Sequence, residues 1–227
     1  GVEPKKAFQI MELTRKGKVA KGGFPDGDEE MLREHGVPEW YLDSCKKIKY
    51  MFPKGHAVAY LMAAVRLMCF KGYHPLAFYA TFFTVRGEDI DYEAAVGGAK
   101  VAKQHIREVE MRLREEKKAK DEEILASLQI VNEMLQRGYE FLPIRIGKSR
   151  AKVYVIEDGK IRLPYMALKG LGDSVANAME EATMNGQSYL SADELQSATG
   201  ASSTIMDALM QIGALGDLPK SNQVSFF

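Results

Sequence analysis

Ser44-Cys-Lys-Lys-Ile-Lys-Tyr-Met-Phe-Pro-Lys-Gly-His-Ala-Val-Ala-Tyr-Leu-Met-Ala-Ala-Val-Arg-Leu-Met-Cys-Phe-Lys71, followed by Gly72-Tyr-His-Pro75 and an apolar run to Arg86, is the stretch on which the reading of this chain turns. From Ser44 to Gly87 it holds seven Lys/Arg and neither Asp nor Glu. A segment apolar enough to pack, yet cationic wherever it is charged, is suited to holding phosphate. From His56 to Lys71 the pattern is helical, and 3.6 residues per turn predict that His56, Tyr60, Leu67 and Lys71 project from one face. The preceding Phe52-Pro53-Lys54-Gly55 turn places Lys54 beside the helix N-terminus, where free N–H groups and the dipole also favour an anion. The arrangement reads as a triphosphate cradle. Met62 and Met68 are expected in the core. Leu76 to Val85 predicts a second apolar helix, with Phe78, Tyr79, Phe82 and Phe83.

The 227 residues carry a formal net charge of zero, which conceals a strong segregation. Residues 1–43 sum to −2, 44–87 to +7, 88–140 to −4, 141–172 to +5 and 173–227 to −6. Two basic zones separated by acidic ones predict two contacts with a polyanion.

Outward from the cationic stretch, Glu3–Lys18 predicts an amphipathic helix and Asp28–His35 a short one stopped by Gly36. Pro38 is placed as the first helical residue of the next. On the other side, Tyr92–Lys118 and Asp121–Arg137 predict a charged helical hairpin with Glu108 paired to Arg112 and Gly138 as C-cap, read as a largely solvated spacer. The composition then shifts. Tyr139–Ile146, Lys152–Glu157 and Lys160–Pro164 are rich in β-branched and aromatic residues, and Asp158-Gly159 predicts a hairpin turn. This basic β-unit contains Arg145, Lys148, Arg150 and Lys152.

Leu168-Lys169-Gly170-Leu171-Gly172, ahead of a helix carrying the small Ala176, predicts a tight turn. Its backbone N–H groups would face a phosphate oxygen while Leu171 plugs the interior. The pattern resembles the helix-hairpin-helix motif, which holds the DNA backbone without reading bases. Ser191-Ala-Asp-Glu194 is a capping box. Thr199-Gly200-Ala201-Ser202 reads as a second, degenerate hairpin that packs more than it binds.

Cys45 and Cys69 lack metal-ligand spacing and are expected to be buried thiols in a reducing, cytoplasmic compartment. The apolar run from Ala57 to Val65 is too short to span a membrane, which takes about 20 residues. No nucleophile with a base, no acidic pair suited to two metals and no phosphate-binding glycine loop of the Walker type is visible, so no metal site is assigned. The chain begins at Gly1 without Met, as expected of a piece of a longer protein.

Cys45–Tyr60, Phe70-Lys-Gly-Tyr-His-Pro-Leu-Ala-Phe-Tyr79 and Thr81-Phe-Phe-Thr-Val-Arg86 resemble the fingers of the PolC-type DNA polymerase III alpha subunit, a family C replicative polymerase. The Gly170–Gly172 hairpin and the Gln-x-Ser-x-Phe ending fall where that family has its duplex-binding domain and clamp peptide. The resemblance implies a mainly α fold with a small β element. Residues 1–138 would be fingers, 139–218 a duplex-binding domain with the helix-hairpin-helix, and 219–227 a clamp-binding tail. It implies nucleotide or template contacts at Lys54, His56, Tyr60 and Lys71, with Lys46, Lys47 and Arg66 as further candidates. Lys169, Gly170, Leu171 and Gly172 would face the DNA backbone, and Gln223, Val224, Phe226 and Phe227 would enter the sliding clamp. The partners implied are duplex DNA, a deoxynucleoside triphosphate, the sliding clamp and the remainder of the subunit. The parent would be a DNA-directed nucleotidyltransferase with an exonuclease. Its Mg2+-binding palm lies elsewhere, so no cofactor and no independent activity are expected of this chain. The competing reading is a stand-alone, non-catalytic DNA-binding or clamp-tethering module.

Overall fold

Glycines and prolines cut the first fifty residues into short helices. In the computed structural model, which describes residues 1–87 and 90–222, these are α1 (Pro4–Arg15), α2 (Lys18–Gly22), α3 (Asp28–Glu34) and α4 (Glu39–Lys47). Pro38 stands one position earlier than expected, as the N-cap of α4. Two compact units divide the chain, Gly1–Arg66 and Leu67–Phe227.

The first unit has a small core of Ile10, Leu32 and Leu42, with Val2, Phe24, Met31 and Val37 packed around it. Its tightest backbone approach is at Gly17, with φ +68°, where an added Cβ would lie 1.9 Å from the Lys49 carbonyl oxygen. Only glycine permits both that conformation and that contact. The Met51 N–H also donates to the Arg15 carbonyl at 3.0 Å, so the extended segment after α4 is pinned to the end of α1.

Helix α5 (Lys54–Tyr73) contains the point at which the two units divide, and none of its residues is buried. Met62 and Met68, expected in the core, are 50% and 69% exposed. Helix α5 is apolar around its circumference, the pattern of a helix that is covered on every side, yet among the described residues nothing covers it. Cys69 on α5 is likewise exposed, against expectation, whereas Cys45 on α4 is buried.

The second unit is built on one hydrophobic core that runs from Tyr79 on α6 (Pro75–Arg86) to Leu215. Helices α7 (Tyr92–Glu115) and α8 (Ala119–Gln136) form the expected hairpin, but it is no solvated spacer. Ala102 and Val109 of α7 and Leu128, Val131 and Met134 of α8 are buried in the core. Arg112 pairs with Asp121 across the hairpin at 3.0 Å instead of serving as a partner for Glu108. Helix α7 is also broken: Gly98 has φ +81° and ψ −178°.

Three short strands follow, β1 (Phe141–Leu142), β2 (Val155–Glu157) and β3 (Lys160–Arg162), in the order β1-β3-β2. The β2–β3 pair is antiparallel, with Ile156 opposite Ile161, and β1 runs parallel to β3, with Phe141 opposite Ile161. Asp158 and Gly159 both have positive φ, 51° and 75°, as the expected two-residue turn requires. A 3-10 turn (Tyr165–Ala167) and helices α9 (Asp173–Met184), α10 (Ala192–Thr199) and α11 (Ser203–Gln211) complete the unit. The fold is mainly α with a small β element, and no helix among the described residues is long and apolar enough to cross a membrane.

Candidate nucleic-acid interface

The capping and turn chemistry around Gly170 builds the first candidate surface. The 3-10 turn ends at Leu168, the Leu171 N–H donates to the Leu168 carbonyl at 3.1 Å, and Gly170 takes φ +88°. Leu171 is buried beneath the turn, while Lys169, Gly170 and Gly172 are exposed. Of the four residues expected to face a DNA backbone, Leu171 therefore acts as the plug, with its amide already engaged. Gly172 is the N-cap of α9 and supplies no side-chain oxygen to the first N–H groups of that helix. Those groups and the positive end of the dipole are open to an anion. Ala176, the small residue of the pattern, is fully buried, which lets α9 sit close against the core. Lys152, 3.7 Å from Asp173, adds a cation beside the turn.

The degenerate second hairpin, between α10 and α11, is closed chemically. Gly200 takes φ +67° as the C-cap of α10, but the Ala201 N–H donates to the Thr199 hydroxyl at 3.4 Å. The Ser202 hydroxyl caps α11 by accepting from the Ile205 N–H at 3.3 Å. The hydroxyls thus fill positions at which the first hairpin leaves donors open. Half of the Ser191 capping box forms as expected, with Ser191 accepting from the Glu194 N–H at 3.3 Å; the Glu194 carboxylate reaches one residue further back and accepts from the Leu190 N–H at 2.8 Å.

The second candidate surface lies on the first unit. Lys47, Lys49, Lys54 and Arg66 pair with no carboxylate among the described residues, whereas Lys46 is held 2.7 Å from Glu29. Sequence separation hides that partner, because the acid comes from α3. His56 and Tyr60, one turn apart on α5, are brought together with ring centroids 4.5 Å apart. Lys71, expected to share their role, is engaged inside the second unit. Its ammonium lies 2.6 Å from Glu133 of α8 and 5.3 Å from the Phe78 ring.

Helical spacing does not mark Tyr50, Phe52 or Arg15, yet Tyr50 and Phe52 continue the His56–Tyr60 pair. The alternation of aromatic residues at Tyr50 and Phe52 just before the Pro-Lys-Gly turn is the signal that points to them. The Arg15 guanidinium sits 5.9 Å from the Tyr50 ring centroid. Arg15, then Lys16, holds the Glu12 carboxyl well below the usual range, at about 2. Gln223, Val224, Phe226 and Phe227 lie outside the described residues. No group of three or more His, Cys, Asp or Glu among the described residues is placed to hold a metal ion.

Residues 138–224 match a family model described as a helix-hairpin-helix motif. Over 224 residues, 99% of its length, the chain is 42% identical to the DNA polymerase III PolC-type of Clostridium perfringens, of which it covers 15%. It is 42% identical over 227 residues to that of Bacillus cereus, covering all of this chain and 15% of the relative. Against that of Streptococcus thermophilus the identity is 40% over 230 residues, covering all of this chain and 16% of the relative. The chain therefore spans less than a fifth of the length of these relatives.

Proposed function

We propose, because the chain belongs to the PolC-type DNA polymerase III family, that it is the part of a replicative DNA polymerase that grips DNA and lines the path of the incoming nucleotide. The observation that carries the reading is the Gly170 turn. Open amides at the start of α9, two exposed glycines and the Lys169 cation, with Lys152 balancing the Asp173 carboxylate beside them, form a surface for a phosphate backbone. Residues 139–218 would hold the duplex, and residues 1–138 would serve as fingers. Lys54, His56 and Tyr60 would meet the deoxynucleoside triphosphate or template, with Lys47 and Arg66 adding charge. Lys46 and Lys71 would act chiefly through their carboxylate partners.

The exposed apolar surface of α5 supports a further part of the reading. The remainder of the polymerase subunit, most of whose length lies outside this chain, would cover the apolar faces of that helix other than the one carrying Lys54, His56 and Tyr60. The Mg2+ implied by the family finds no ligand set among the described residues. These residues would position phosphates and bases, and the chain would not polymerise by itself. Gln223, Val224, Phe226 and Phe227 would tether it to the sliding clamp.

Duplex binding by the chain at about 50 and 200 mM salt tests the reading. Sequence-indifferent binding that weakens steeply with salt is the expected result. Base-specific binding, or none at the lower salt, would overturn it.

A further inference from the structure

Asn185 and Gly186 are the one Asn-Gly pair in the chain, and they form the exposed turn that follows α9. Asn185 is the C-cap, with φ −82° and ψ 4°, and Gly186 takes φ +81°. The Asn185 side chain folds back along the turn. Its Oδ1 accepts from the Gln187 N–H at 2.8 Å, which draws electron density away from the amide carbon Cγ. The Gly186 N–H, on the nitrogen that follows Asn185 in the main chain, donates to nothing among the described residues. An electrophilic carbon and an unengaged nitrogen therefore sit on adjacent residues.

The helical asparagines lack this combination. Asn132 lies inside α8 and Asn177 inside α9, so the N–H that follows each is bonded to a carbonyl four residues back. Asn177 also donates its side-chain N–H to the Asp173 carbonyl at 2.8 Å. Attack at either would first have to open the helix. At the turn nothing has to open: residues 185–188 are exposed, and a Cβ added at Gly186 would meet nothing within 4 Å. Glycine also brings no side chain to hinder the approach of its nitrogen, and it follows freely when ψ of Asn185 swings round to close a ring.

We infer that Asn185 is a site of spontaneous covalent modification, at which the Gly186 nitrogen closes on the Asn185 side chain. The amide proton passes to hydroxide, a bond forms from the Gly186 nitrogen to Cγ, the bond from Cγ to Nδ2 breaks, and ammonia leaves behind a cyclic succinimide. One water then opens either carbonyl of the ring, giving an aspartyl or an isoaspartyl residue. Nothing is oxidised or reduced. Both products set a carboxylate at the C-terminal end of α9, which already carries the negative end of the helix dipole. The isoaspartyl product also lengthens the main chain between α9 and α10. The inference is independent of the polymerase reading.

The test is peptide mapping by mass spectrometry of the 227-residue chain after incubation in mildly alkaline buffer, folded and in urea. In the folded chain Asn185 should convert about tenfold or more faster than Asn132 or Asn177, to two products of equal mass and at a rate that rises with pH. Urea should speed up Asn132 and Asn177 and leave Asn185 within about threefold of its folded rate, because its turn is already open. The incubated chain should melt about 1–3 °C below the fresh one, and Asn185→Gln incubated in parallel should keep its melting temperature. Conversion of Asn185 in urea alone, a single product at that position, or an equal loss of melting temperature in Asn185→Gln would each overturn the assignment.

Discussion

Arg162 and Glu157, on opposite arms of the β2–β3 hairpin, meet in a charge-assisted hydrogen bond of 2.7 Å, and Arg162 also donates to the Pro143 carbonyl at 2.7 Å. Their register is diagonal, since Val155 faces Arg162 and Glu157 faces Lys160. Arg162 is buried, so Glu157 neutralises a guanidinium inside the unit that carries the Gly170 turn.

Arg162, then Lys148, holds the Glu157 carboxyl down at about 2. A depressed carboxyl contributes stability that is fully present above its ordinary value of about 4.3 and lost as pH falls towards its folded value. Thermal melts between pH 5 and 2 should therefore show a progressive drop, reduced in Glu157→Gln. At neutral pH Glu157→Gln itself should destabilise by about 2 kcal/mol, less than a fully buried pair would lose because Glu157 is partly exposed.

Gly170 and Gly172 separate conformation from access. Gly170 has φ +88°, so Gly170→Val should cost roughly 1–3 kcal/mol of stability whatever it does to DNA. Gly172 has φ −83°, and an added Cβ there meets nothing within 4 Å. Gly172→Ser should therefore keep the melting temperature or raise it slightly, because serine is at least as good an N-cap as glycine. Its hydroxyl would occupy the α9 amides, and duplex affinity should fall about tenfold, the equivalent of one charge-assisted hydrogen bond of roughly 1.5 kcal/mol. Unchanged affinity in a folded Gly172→Ser protein would remove α9 from the interface.

Lys54 and Lys71 carry the same charge and should behave differently. Lys54→Ala should leave the melting temperature unchanged and lower the salt dependence of DNA binding by about one phosphate contact. Lys71→Ala removes the pair with Glu133 and the contact with Phe78, and should cost about 1 kcal/mol of stability with the salt dependence unaltered. The opposite assignment of effects would restore Lys71 to the nucleic-acid surface.

What was legible in the sequence was local. The Asp158-Gly159 turn, the Gly170 turn with its Leu171 plug, the Ser191–Glu194 capping box and the α7–α8 hairpin each follow from chemistry within a few residues. What was not legible depends on partners distant in sequence. The acid-free stretch from Ser44 to Gly87 reads as uniformly free cation, yet Glu29 and Glu133 reach Lys46 and Lys71 from other helices. Apolar content likewise signals that a surface needs covering, without saying by what, which is why Met62, Met68 and Cys69 are exposed here. That Tyr50 and Phe52 continue the His56–Tyr60 pair emerges only once the Arg15 carbonyl and Gly17 are seen to pin the segment.

The break in α7 gives a prediction whose sign decides the matter. Asp91 caps the first turn by accepting from the Ala94 N–H at 2.9 Å, and its other oxygen lies 2.6 Å from Nδ1 of His105. In a straight helix, residues fourteen positions apart would be separated by about 21 Å. The contact therefore requires the chain to fold back at Gly98, whose φ of +81° and ψ of −178° are open essentially to glycine alone. If α7 were straight in solution, Gly98→Ala would replace a poor helix former with the best one and stabilise by about 1 kcal/mol. With the elbow present, the same substitution should destabilise by roughly 2 kcal/mol. His105→Ala should cost about 1 kcal/mol in the wild-type background, and less when combined with Gly98→Ala, because the elbow that brings His105 to Asp91 is already strained. A melting temperature that rises in Gly98→Ala would show that the two halves of α7 run on as a single rod.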